Sequence, residues 1–100
     1  MPKSTTHFVY MLRCKGERIY TGYATDVEAR FRKHCEGTAA HFTRAFPPLE
    51  FLCSIPCSSR SEGLRLEARI KGKTRTEKLD VIQQNISGMF CVQDFLGDGL

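Results

Sequence analysis

The sequence predicts an α+β fold: a small three-stranded sheet, mixed or antiparallel, flanked by helices in the order β-β-α-β-α-α. Three observations carry this reading. Residues 8–22 have a hairpin pattern, residues 49–55 form a compact apolar run of strand length, and three capping-box matches each open a helical stretch. With 100 residues there is room for one domain and one core, which excludes a two-domain cofactor enzyme or a large dinucleotide fold.

The elements follow in order. Phe8-Val-Tyr-Met-Leu-Arg-Cys14 is β-branched and aromatic, Lys15-Gly16 signals a turn, and Glu17-Arg-Ile-Tyr-Thr-Gly22 supplies the second arm. Thr25-Asp-Val-Glu28 matches a capping box with Thr25 as N-cap, so a helix is expected from about Asp26 to His34, stopped by Gly37. Residues 38–48 read as a loop closed by Pro47-Pro48. Leu49–Ile55 is the central or third strand. Ser59-Arg-Ser-Glu62 opens a helix to Lys71 or Lys73, and Thr74-Arg-Thr-Glu77 opens another towards Gln84. The domain therefore spans residues 1–84, and residues 85–100 form a tail that docks on it.

Charge is unevenly distributed. All 15 Lys and Arg fall within residues 1–78 together with 8 of the 11 acids, a net of +7 there against +4 for the whole chain. A basic body of this kind suits a polyanionic partner, and it also suits plain solubility. The five cysteines, at 14, 35, 53, 57 and 91, form no CxxC pair and no disulfide spacing, so buried free thiols are expected rather than a disulfide framework or a zinc site. No signal-peptide pattern opens the chain and no apolar run reaches membrane-spanning length, so a cytoplasmic protein without a membrane partner is expected.

Several residues stand out for chemistry. On a helical wheel of about 100° per residue, Leu64, Leu66 and Ile70 form an apolar stripe, and Glu67 falls within it while Arg65 and Arg69 fall opposite. A carboxylate aimed at a core needs a partner: an ion pair with Arg30 or a tyrosine, or a metal. Arg30 and His34 share one helical face with Val27 and Phe31. Arg30 is either a snorkelling surface arginine or a group aimed at the sheet edge, and His34 is either a C-terminal dipole cap or a site residue. Tyr10 and Tyr20 lie in the two hairpin arms, as packing or as chemistry, and Gly22 marks a point where a ligand or another backbone approaches closely.

These residues resemble a known family, the GIY-YIG nucleases, and most closely its small stand-alone bacterial, YhbQ-like group. Phe8-Val9-Tyr10 and Tyr20-Thr21-Gly22 resemble the two strand motifs, with Phe8 and Thr21 in place of the eponymous Gly and Ile. Tyr20 to His34 resembles the second motif running into the first helix, Thr43 to Phe51 the segment leading to the third strand, and Leu64 to Lys71 the glutamate-bearing helix. The resemblance implies a metal-dependent endonuclease that hydrolyses DNA phosphodiester bonds in DNA repair or processing. It implies catalytic roles for Tyr10, Tyr20, Arg30, His34 and Glu67, with Glu67 holding one Mg²⁺ or Mn²⁺. Tyr10 would be the base, its pKa lowered near the metal or Arg30. Gly22, Arg44, Arg65, Arg69, Lys71 and Lys73 would contact the nucleic acid, which is DNA with RNA left open. Two alternatives stand beside this: a nucleic-acid-binding module with little turnover, and a protein-interaction domain that docks through Met89, Phe90, Phe95 and Leu96. The sequence leaves the assembly state open, a monomer included.

Overall fold

The structure is a computed structural model that describes residues 6–85. The tail assigned to residues 85–100, with its proposed docking, lies outside the described residues apart from Asn85. Three strands, β1 (His7–Cys14), β2 (Arg18–Ala24) and β3 (Pro48–Cys57), form one sheet in the order β2-β1-β3. Both pairings are antiparallel, which resolves the mixed-or-antiparallel alternative. The third strand is an edge strand, and β1 is central, so Val9, Tyr10, Met11 and Leu12 are all fully buried.

Helices cover both faces. Val9 and Met11 pack with Cys53, Cys57, Ile70 and Ile82 on one side; Tyr10, Leu12 and Cys14 pack with Ala24, Phe31 and Phe51 on the other. Strand alternation produces this division in β1. In β3 the β1–β3 register shifts between Met11 and Leu12, so Phe51 pairs with Leu12 while Cys53 pairs with Met11. That bulge lets two residues of the same parity face opposite layers.

The first helix, α1 (Val27–Glu36), is capped by Asp26, whose side chain accepts from the Ala29 amide, and not by Thr25. Either residue can cap, and the one adjacent to the first helical residue does so. Gly37, at φ 80°, ends the helix in the left-handed region that glycine enters without strain. The stretch read as a loop contains a short helix, α2 (His41–Ala45), whose N-cap Ala40 offers no side-chain hydrogen bond, so no capping signal marks it.

In α3 (Arg60–Lys71), Ser59 caps as expected, but Glu62 turns to the Ser58 amide and hydroxyl and leaves the box half formed. The sheet-facing stripe is Gly63 and Ile70, both buried, with Leu66 and Glu67 half-buried, and Leu64, placed on it by the wheel, is exposed. Gly63 lets the helix approach the sheet: a Cβ there would lie 2.8 Å from the Tyr23 ring. The last helix, α4 (Arg75–Gln84), carries the complete Thr74/Glu77 capping box. The Arg75 guanidinium reaches the Glu17 carbonyl in the hairpin turn and ties this helix to β1–β2. Cys14, Cys53 and Cys57 are buried and Cys35 half-buried, all as free thiols; Cys91 lies outside the described residues.

Candidate active site

Tyr10 is only 1% exposed because β1 is central, and alternation sends its ring to the α1 side. Its cross-strand partner is Gly22, where a Cβ would stand 2.5 Å from the Tyr10 Cζ and hydroxyl. The missing side chain is the space that the phenol occupies. Gly22 is itself buried, so the group approaching it is this ring, and the nucleic-acid contact expected at Gly22 gives way to a packing role.

A hydrogen-bonded chain begins at that hydroxyl. The Tyr10 hydroxyl is 2.6 Å from His34 Nε2, and His34 Nδ1 is 2.7 Å from Thr43 Oγ1. Thr43 donates to the Ala40 carbonyl at 3.3 Å, so its oxygen is left to accept from His34 Nδ1–H. The network thereby assigns the lone pair to Nε2, and Tyr10 donates to it. Burial, and then the Arg30 charge, push the His34 pKa down to about 4, so the imidazole is neutral at pH 7. His34 is thus an interior residue bonded at both nitrogens, not a dipole cap.

The phenol itself departs from expectation. Burial, reinforced by Tyr20, raises the Tyr10 pKa far above its ordinary value; Arg30 opposes the rise and Glu67 adds to it. Burial outweighs Arg30, so in the protein alone the Tyr10 pKa is raised, where proximity to Arg30 is expected to lower it. Tyr20, directly across from Leu12 in register, is half-buried, with its ring edge-on to His34 at 4.9 Å and 6.3 Å from Tyr10. Its pKa is also raised, by burial against the opposing charge of Lys71.

Arg30 is exposed and makes no ion pair among the described residues, yet its charge acts on Tyr10, Tyr20 and His34. It lines a groove with Lys33, Ala29, Thr38 and Ala39. Glu67 comes from α3, its side chain 19% exposed, and its partner is Lys71 Nζ at 3.3 Å rather than Arg30 or a tyrosine. The i,i+4 spacing makes that pair the nearest available one. The Glu67 charge is nevertheless felt at both tyrosines.

Among the described residues no three His, Cys, Asp or Glu side chains cluster as a metal cage. A cation held at Glu67 must take its other oxygens from water and from a substrate phosphate. That suits Mg²⁺ or Mn²⁺, which retain several waters, and not a closed structural zinc site. The donor chemistry therefore fits a single hard ion.

The sequence profile of the GIY-YIG catalytic domain matches residues 6–80. The chain belongs to this family. It is 42% identical over 78 residues to the UPF0213 protein SERP0126 of Staphylococcus epidermidis, covering 78% of this chain and 95% of that one. It is equally identical over 78 residues to the UPF0213 protein SAG0778 of Streptococcus agalactiae, covering 89% of the relative. The solution NMR structure of the UPF0213 protein BH0048 from Bacillus halodurans is similar, with a TM-score of 0.52 at 35% identity over 79% of this chain and 84% of that one. The GIY-YIG domain is a nuclease domain, which implies a nucleic-acid substrate. No helix among the described residues is long and apolar enough to cross a membrane.

Within the GIY-YIG domain the Arg30 charge acts on Tyr10, Tyr20 and His34 and the Glu67 charge on Tyr10 and Tyr20, with Lys71 at the edge through Glu67 and Tyr20. Other expected nucleic-acid contacts are dispersed. Arg65 and Arg69 line a separate groove beside β3 with Pro56, Cys57, Glu62 and Leu66. Arg44 is exposed on α2 and bonded to His41 Nδ1 at 2.8 Å, and Lys73 lies in the turn beside Glu77. Sequence reasoning missed Thr43 as a site residue: it sits on an uncapped helix, and its role depends on a histidine nine residues earlier.

The His34 environment sets a pH dependence. Its folded pKa of about 4 lies below the ordinary 6.5, so between these values the unfolded chain takes up a proton that the folded one refuses. Stability should be unaffected by this group above pH 6.5 and fall as pH drops towards 4, by up to about 3 kcal/mol. Urea melts of wild type and His34→Gln across this range check the prediction. The variant should lose less stability on acidification; equal slopes would remove His34 as the cause.

Proposed function

We propose that the protein is an endonuclease that hydrolyses DNA phosphodiester bonds with one divalent cation, Mg²⁺ or Mn²⁺, in DNA repair or processing. The observation that carries this reading is the Tyr10–His34–Thr43 chain, with Arg30, unpaired among the described residues, acting on Tyr10 and His34. Arg30 offers its planar fork to the phosphoryl oxygens, where negative charge grows as water attacks. Tyr10 is the proton acceptor because its hydroxyl has an outlet. As it takes a proton from the attacking water, it passes its own to His34 Nε2, while Nδ1–H stays bonded to Thr43.

This relay needs no resting phenolate, which the raised Tyr10 pKa disfavours. The cationic imidazole that results is stabilised by the negative charge of the bound phosphate, the opposite of the Arg30 effect that holds it neutral beforehand. Among the described residues the Tyr20 hydroxyl has no hydrogen-bond partner, so it is free to orient water or phosphate. Glu67 would hold the cation, displacing Lys71, and the ion would supply charge neutralisation at the phosphate and leaving oxygen. Lys71, once released, joins Arg44 and Lys73 as a backbone contact whose contribution falls with salt; Arg65 and Arg69 would serve strands that cross the outer groove.

Purified protein with Mg²⁺ or Mn²⁺ should nick or cleave plasmid, flapped or single-stranded DNA. A chelator should stop the reaction and added metal restore it. A competing reading is a nucleic-acid-binding module with little turnover, favoured by the existing Glu67–Lys71 pair. Mobility shifts without cleavage across both metals and all three substrates would decide for that reading.

A further inference from the structure

The aromatic rings at the site continue beyond the buried pair. Tyr20 stands 5.5 Å from Phe42, Phe42 stands 5.3 Å from Phe46, and the Arg18 guanidinium lies 3.9 Å over the Phe46 ring. With Tyr10 and His34 this makes a row that leads from the interior to the surface along α2. Phe42 is 37% exposed, whereas Phe8, Phe31, Phe46 and Phe51 are buried or half-buried. A large apolar ring left in water beside a polar site has a surface available to a ligand.

The surroundings indicate which ligand. Arg18 lies at the outer end of the row, and Arg44 is exposed two residues along the same helix. Arg30 acts on Tyr20 at the inner end. The sequence holds no acid between Glu36 and Glu50, and Glu50 is already bound to Arg13. An aromatic face bordered by Arg18 and Arg44, with Arg30 as well as Glu67 acting at its inner end on Tyr20, is suited to a base attached to a phosphodiester backbone.

We propose that Phe42 stacks an unpaired nucleobase adjacent to the phosphate engaged by Arg30 and Tyr20, so that the protein prefers strands in which a base is free to leave its neighbours. This rests on the nuclease reading for the position of the phosphate. A base in a duplex is already stacked on both sides and gains little from a phenylalanine, whereas an unpaired base gains a partner. Phe42 is accordingly a positioning residue that acts on affinity and register and takes no part in proton transfer.

The test uses the full chain in EDTA, so that no probe is cut, with a single-stranded oligonucleotide carrying 2-aminopurine and the same oligonucleotide in a duplex. Wild type should quench the single-stranded probe and bind it about ten-fold more tightly than the duplex. Phe42→Leu, which keeps apolar cover over Tyr20 and Phe46, should lose both effects; Phe42→Trp should retain them. With metal, Phe42→Leu should raise KM on the single strand with little change in kcat. Equal binding of the two probes by wild type overturns the proposal without recourse to any variant, and so does full quenching by Phe42→Leu. If metal-loaded wild type cuts neither probe but still quenches the single strand, the nuclease reading fails while the stacking stands.

Discussion

Glu67→Gln is expected to abolish cleavage, reducing kcat by at least about a thousand-fold, equivalent to roughly 4 kcal/mol of lost transition-state stabilisation. The substitution keeps the side chain's length and its place on the sheet-facing stripe of α3, so packing against the core is retained. What disappears is the charge that would hold the cation and that now pairs with Lys71. Lys71 is half exposed, so losing this pair should cost no more than about 1 kcal/mol. The two effects differ enough in size to be separated: melting temperature nearly constant, activity gone. Mn²⁺ binding followed by electron paramagnetic resonance should weaken in parallel, and DNA binding in chelator should persist. A variant that cuts at the wild-type rate would show that the metal role belongs elsewhere.

Much of the architecture was legible because its signals are local. The Thr74 box, the Ser59 cap, the Gly37 stop and the hairpin turn each depend on residues within four positions of one another, and each appears in the structure. The errors fall where the deciding contact is distant. Leu64 and Gly63 are neighbours in sequence, but the Tyr23 ring on β2 leaves room for only the glycine beneath the helix. Gly22 reads as a ligand approach until its antiparallel register puts Tyr10 against it. Residue types for the site could be picked out from the sequence and its family resemblance. Their electrostatic state could not, because the raised Tyr10 and the lowered His34 pKa both come from burial that only the assembled layers create. Thr43 and α2 were hidden for the same reason: five helical residues without a capping side chain derive their order from packing on Tyr20 and His34.

Tyr10→Phe should separate the relay from its scaffold. The ring remains, so the core around Leu12, Phe31 and Phe51 keeps its filling. His34 Nε2, however, becomes a buried acceptor without its donor, which should lower stability by about 1–3 kcal/mol. If Tyr10 accepts the water proton, cleavage should also fall by about a hundred- to ten-thousand-fold, the usual contribution of a general base. Tyr20→Phe, at a half-buried ring with no hydrogen-bonded outlet among the described residues, should cost less. The decisive comparison is the double variant Tyr10→Phe/His34→Phe. Two residues that move one proton act as a unit, so the double variant should be scarcely slower than the worse single one. Losses that multiply would mean that Tyr10 and His34 contribute separately. A Tyr20→Phe loss exceeding that of Tyr10→Phe would transfer the base to the more accessible phenol, leaving Tyr10 to hold His34 in the tautomer that the Thr43 hydroxyl sets.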